Sequence, residues 1–235
     1  MKKLIFILCI ALSTIACNNN NHKADTKGSR EFIPDHDANP NLTTAQQIAY
    51  ANGVTHWKNV SEINFTFNVD RGENHFERSW NWKPKTNDVM MRSTSDTIRY
   101  NRSQMDSIIK KTDAAFINDK YWLLAPYNLV WDQGTEFSEK KNMVSPISKD
   151  TLDLLTITYG NEGGYTPGDA YDLYFGKDYR IKEWVFREGN DSIPSMTTTW
   201  EDYENFNGIE IAKMHKDSTG NFKLYFTNIS VKLTP

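Results

Sequence analysis

"YWLLAPYNLVWDQGTEF", Tyr121 to Phe137, is the stretch on which the fold turns, and a polar run, "SEKKN", follows it. Pro126 has no N–H to give a helix, and its ring collides with the preceding turn. The segment therefore reads as an edge strand or a bent extended piece. Extended, it places Tyr121 and Leu123 on one side and Trp122 and Leu124 on the other. Apolar residues on both faces mean burial on both, either in a core or between a core and a cavity.

Just upstream, "SQMDSIIKKTDAAF" changes to a helical period. Ser103 and Asp106 stand at capping-box spacing, and Met105, Ile108, Ile109 and Phe116 form one stripe. Before it lies "EINFTFNVD", which alternates strictly, with Ile63, Phe65, Phe67 and Val69 on one face; that is a half-buried strand. "HFERSWNWK" repeats the pattern with Phe76, Trp80 and Trp82, and "DVMMRS" and "DTIRY" read as short strands. "LTTAQQIAYANG" supplies threonine caps, an apolar face at Ala45, Ile48 and Ala49, and Gly53 as a stop, which predicts a first helix.

Downstream, segments such as "TLDLLTITYG", "YRIKEWVFR" and "NFKLYFTNISVKL" are rich in β-branched and aromatic residues and are separated by Gly, Asn and Asp turns. The last of them changes phase between Phe226 and Ile229, which predicts a bulge or bend. About ten strands and two helices give an α+β, mainly β fold. We expect a large curved antiparallel sheet, an incomplete barrel, with the helices covering its concave side.

The N-terminus restricts location. "MKKLIFILCIALSTIAC" has basic residues, an apolar run from Leu4 to Leu12, then small residues before a cysteine. That is a signal peptide over 1–16, too short for a membrane span. The ending resembles a lipobox, although Thr14 stands where leucine is preferred, and it implies lipid modification of Cys17. Cys9 leaves with the signal, so Cys17 is a lone exported thiol for which acylation supplies a reason. Residues 17–41 are polar, with too few apolar groups to offset the entropy of ordering, and read as a tether. His22 and His36 in it are too far apart for a ligand set. Residues 42–235 read as a single domain. The expected localisation is the cell envelope, at the outer membrane facing the periplasm.

Several function classes lack their residues. The net charge of −3 and the absence of a basic run argue against nucleic acid. "GNEGGYTPGD" fits neither GxxxxGK[ST] nor GxGxxG; Pro167 and Gly168 suit a type II turn, and Asp169 suits the turn's support. Asp132 with Glu136, and Glu162 with Asp169, are acid pairs whose convergence spacing cannot show. No nucleophile elbow or HExxH occurs, and His56, His75 and His215 are isolated. The expectation is a non-enzyme without cofactor or metal. The triplets at Asp96, Asp106, Asp150 and Asp191 match an O-glycosylation acceptor pattern known in Bacteroidetes.

The order helix, strands, helix with "AFINDKYWLLAPYNLVWDQG", then "YGNEGGYTPGDAYDLYF", then "TTTWEDYENFNGIEIAKMHKDSTGNFKLYFTNISVKL", resembles a family of Bacteroidetes envelope lipoproteins. In outline that family is similar to LolA/LolB-type lipoprotein carriers. The resemblance implies a half-barrel around an apolar cavity and no particular substrate. It leads to a carrier of a lipid, an acylated molecule or another apolar ligand, walled by some of Trp80, Trp82, Tyr121, Trp122 and Trp131 and held to the membrane by the lipid on Cys17. The alternative is a structural adapter with a solid core, whose surface binds an envelope protein or a glycan.

Overall fold

The structure, a computed structural model, describes residues 41–234. The signal peptide, Cys17, His22, His36 and the tether up to residue 40 lie outside the described residues. In chain order the elements are α1 (Thr44–Ala51), β1 (Val60–Arg71), β2 (Asn74–Lys83), β3 (Asp88–Arg92), β4 (Thr97–Asn101), α2 (Ser107–Trp131), β5 (Thr135–Val144), β6 (Thr151–Tyr159), β7 (Ala170–Phe175), β8 (Ile181–Arg187), β9 (Met196–Thr199), β10 (Glu201–Phe206), β11 (Ile209–Lys216) and β12 (Phe222–Leu233).

α1 forms where its caps place it. The Thr43 side chain accepts from the Gln46 N–H while the Gln46 side chain accepts from the Thr43 N–H, a reciprocal capping box. Gly53 ends the helical region at φ +88°, and a Cβ there would run into the Gly208 carbonyl.

The strands follow their alternation. Ile63, Phe65 and Phe67 of β1 are buried, as are Trp80 and Trp82 of β2. In β12 the pairing jumps from Asn64–Ser230 to Thr66–Thr227, so the strand bulges, with Asn228 at φ +52° inside the bulge. This is where the apolar phase of the sequence shifts.

All strand pairs are antiparallel and fall into two sheets. One has seven strands in the order β10-β11-β12-β1-β2-β3-β4, and the other has five in the order β5-β6-β7-β8-β9. The sheets run into each other at Trp200, the residue between β9 and β10, whose N–H donates to the Lys182 carbonyl at 2.7 Å. At the other side, β4 and β5 each lack a further strand neighbour among the described residues, and the chain passes between them through α2. The result is an incomplete barrel, as the sequence predicts.

α2 corrects the reading of its second half. Asp106, not Ser103, is its N-cap, accepting from the N–H groups of Ile108 and Ile109. The helix then continues through Pro126 to Trp131, so Tyr121–Trp131 is helical and not an extended piece. Leu124 explains it: at φ −130° and ψ 27° it leaves helical geometry and breaks α2 into two pieces. Pro126 then falls in the first turn of the second piece, where an N–H has no intrahelical acceptor and its absence costs nothing.

Every residue from Tyr121 to Leu129 is buried, which is what a helix apolar all round requires. α2 lies against the inner faces of both sheets. Phe116 packs on Trp80 and Trp82 of the larger sheet, and Trp122 packs on Trp184 of the smaller one. Ile108 departs from the expected stripe, exposed at 74 %, while its neighbour Ile109 packs against the core.

Candidate functional site

The inner face is filled unevenly. At one end Trp57, Trp82, Tyr127 and Trp131 close on one another, with ring centroids 4.9–5.7 Å apart, and the Tyr127 hydroxyl donates to the Asn52 carbonyl at 2.5 Å. This end is solid. Trp80 is fixed by its neighbours: its Nε1 donates to Asp119 Oδ2 at 2.7 Å and its ring meets Phe116.

Toward β7, β8 and β9 the packing leaves a cavity of about 270 Å³. Tyr121 and Trp122 of α2 form one wall, and Tyr171, Trp184, Phe186 and Met196 form the other. The connection between β6 and β7 closes over it and brings Tyr165 onto Tyr121, stacked at 3.8 Å and 8°. Gly164 permits this approach: it sits at φ +72°, and a Cβ there would strike the Tyr159 ring. Beside it, the Asp169 N–H donates to the Thr166 carbonyl and Gly168 has φ +89°, which is the turn that Pro167 and Gly168 predict. The Asp169 carboxylate accepts from the Gly189 N–H, so it ties two turns together.

The polar atoms around the cavity are engaged with one another. The Tyr165 hydroxyl donates to Asn118 Oδ1 at 3.1 Å, the Thr166 and Tyr171 hydroxyls are 3.2 Å apart, and the Tyr121 hydroxyl meets that of Tyr159, which donates to Asp132 Oδ2 at 2.9 Å. Burial pushes all four tyrosines above their ordinary pKa, with the neighbouring phenols adding to the rise at Tyr121 and Asp132 adding to it at Tyr159. They are neutral at physiological pH. Burial also raises the Asp132 carboxyl. No carboxylate, guanidinium or ammonium group lines the cavity, and its aromatic faces make a surface suited to apolar or flat chemistry.

Of the aromatic residues expected as cavity wall, the structure brings Tyr121 and Trp122 to this space. Trp80, Trp82 and Trp131 are placed away from it, in the packing around Phe116 and in the solid end. Tyr165, Tyr171, Trp184, Phe186 and Met196 escape sequence reasoning. "EWVFR" does put Trp184 and Phe186 on one strand face, but Val185 between them is buried as well, so alternation cannot say which face looks inward. The histidines are dispersed: His75 lies 2.7 Å from Asp70 on the surface, while His215 is fully buried and its pKa falls to about 3 through desolvation. Among the described residues no group of three His, Cys, Asp or Glu side chains is arranged to hold a metal ion.

No family model matches the chain, and no curated protein does. Solved structures do. A DUF1329 family protein from Desulfovibrio piger has a TM-score of 0.46 at 11 % identity, over 82 % of this chain and 93 % of its own. A LolA superfamily protein from Nitrosomonas europaea has 0.45 at 12 %, over 83 % and 96 %. A putative outer membrane lipoprotein-sorting protein domain from Vibrio parahaemolyticus has 0.45 at 10 %, over 80 % and 91 %. The likeness is one of fold outline.

Proposed function

We propose that this chain is an envelope lipoprotein, anchored through Cys17, that binds or carries a lipid, an acylated molecule or another apolar ligand on the concave side of its half-barrel. The observation that carries the reading is the uncharged aromatic cavity between α2 and β7–β9. A ring or a single acyl chain entering it would exchange water for aromatic faces, at about 0.8 kcal/mol per buried methylene. The volume lies just under the roughly 300–1,000 Å³ typical of small-molecule sites, which favours one chain or one ring system over a multi-chain lipid.

The adapter reading draws on a different observation, the dense cluster of Trp57, Trp82, Tyr127 and Trp131, which fills the other end. In that case the barrel is scaffold and the function is on its surface.

The experiment is native mass spectrometry of the full chain carrying Cys17→Ser, exported and purified without detergent, followed by solvent extraction. A stoichiometric apolar species supports the carrier and names its class. An empty protein that also refuses an uncharged apolar fluorescent probe overturns it in favour of the adapter.

A further inference from the structure

The aromatic cavity does not stand alone. A second cavity of about 430 Å³ lies between the β1–β2 turn, the start of β9 and the β11–β12 turn, lined in part by Arg71, Met196, Asp217 and Phe222. Met196 borders both spaces. A methionine is unbranched and has three rotatable side-chain bonds, so the border the two spaces share is a flexible one.

Arg71 gives the outer space its chemistry. It continues the face of β1 that carries Phe65 and Phe67, because side chains two apart share a face. An apolar stripe thus ends in a cation. Across the strand pair Arg71 faces Phe222, with its guanidinium 5.4 Å from that ring's centroid. Among the described residues it has no carboxylate within ion-pair reach. Asp70, its chain neighbour, pairs with His75 at 2.7 Å, and Asp217, which lines the same space and remains a carboxylate, is turned to the β11–β12 turn, accepting from Thr219 Oγ1 at 2.7 Å and from the Phe222 N–H at 3.3 Å.

The inner cavity has no ionised lining group, so a charged end of a ligand has no partner there and would bear the full desolvation cost. At the outer cavity it would meet a guanidinium. We infer that the ligand is a single-chain anionic amphiphile, whose tail passes Met196 into the aromatic cavity while its carboxylate or phosphate is held by Arg71. The inference rests on the proposed apolar-ligand function and adds to it the charge and orientation of the ligand.

The test measures displacement of the uncharged probe N-phenyl-1-naphthylamine from the full Cys17→Ser chain by dodecanoate, by lauroyl lysophosphatidic acid and by dodecan-1-ol. We expect at least one anion to displace the probe at about tenfold lower concentration than the alcohol, the size of a charge-assisted hydrogen bond. The preferred anion distinguishes a free fatty acid from a phospholipid fragment. Arg71→Met is expected to abolish the preference, and Arg71→Lys to retain most of it. Equal displacement by anions and alcohol, or a preference that survives Arg71→Met, overturns the inference and leaves the apolar-ligand function standing. Failure of the chain to take up the probe overturns both, whereas a bound probe that none of the three amphiphiles displaces overturns the inference alone.

Discussion

Arg78 grips Asp119 with a fork, donating from Nε and Nη2 to the two carboxylate oxygens at 2.5 and 2.6 Å, and thereby ties β2 to α2. Trp80 Nε1 adds a third donor to the same carboxylate, which is fully buried. With Asp113, which accepts from the Tyr100 hydroxyl of β4 and from Arg102, it holds the helix carrying one wall of the cavity in register with the larger sheet.

Asp119→Ala leaves a largely buried guanidinium and an indole N–H without their acceptor. We expect a loss of about 3–5 kcal/mol, as for other buried pairs broken at one end. The double variant Asp119→Leu with Arg78→Met, which removes both charges, should recover a large part of it. Urea unfolding of the single and double variants checks this; equal stability of Asp119→Ala and the parent would refute the role.

His215 makes the fold sensitive to mild acid. Desolvation lowers its pKa to about 3, against 6.5 for a histidine in water. Between those two pH values the unfolded chain binds a proton that the folded chain refuses, so stability falls as the pH falls, by up to ~1.4 kcal/mol per pH unit. His215→Phe should flatten the dependence between pH 6.5 and 5, where carboxylate titration contributes least. Urea midpoints across that window are the readout, and parallel slopes for the two proteins would remove His215 as the cause.

Tyr165 roofs the cavity. Tyr165→Ala removes its stack on Tyr121, worth about 0.5–1.5 kcal/mol beyond area burial, and widens the entrance. We expect a small drop in melting temperature together with faster association of an apolar probe in stopped-flow fluorescence. Unchanged association kinetics would mean that ligands do not enter beneath this turn.

Gly53 and Gly72 both have positive φ but differ in what surrounds them. A Cβ on Gly53 would meet the Gly208 carbonyl, whereas one on Gly72 would meet nothing within 4 Å. Gly72→Ala should cost only the left-handed penalty, about 1–2 kcal/mol. Gly53→Ala adds a backbone clash and should cost clearly more. Thermal melts of the two variants decide, and equal losses would mean that the Gly53–Gly208 approach relaxes freely.

Sequence periodicity was enough for much of the architecture. The alternation of Ile63, Phe65 and Phe67 predicts a half-buried strand because successive side chains point to opposite faces, and the phase change near Phe226 predicts a bulge because an extra residue must break that alternation. Thr43 and Gly53 bracket the first helix through local hydrogen bonding and backbone freedom alone. These are short-range effects, and the chain states them directly.

Pro126 shows where local rules give out. Its cost depends on its distance from a helix start, and that start is set by the break at Leu124, two residues upstream. The cavity is similar. Trp80, Trp82, Tyr121, Trp122 and Trp131 are all large and apolar, but only the packing of one helix against two sheets decides that Tyr121 and Trp122 face space while Trp80, Trp82 and Trp131 face other rings. Sequence alone determined that these rings leave water. Tertiary structure decided which of them meet, because a void is the difference between the volume the sheets enclose and the volume the side chains fill, and neither is a property of any single segment.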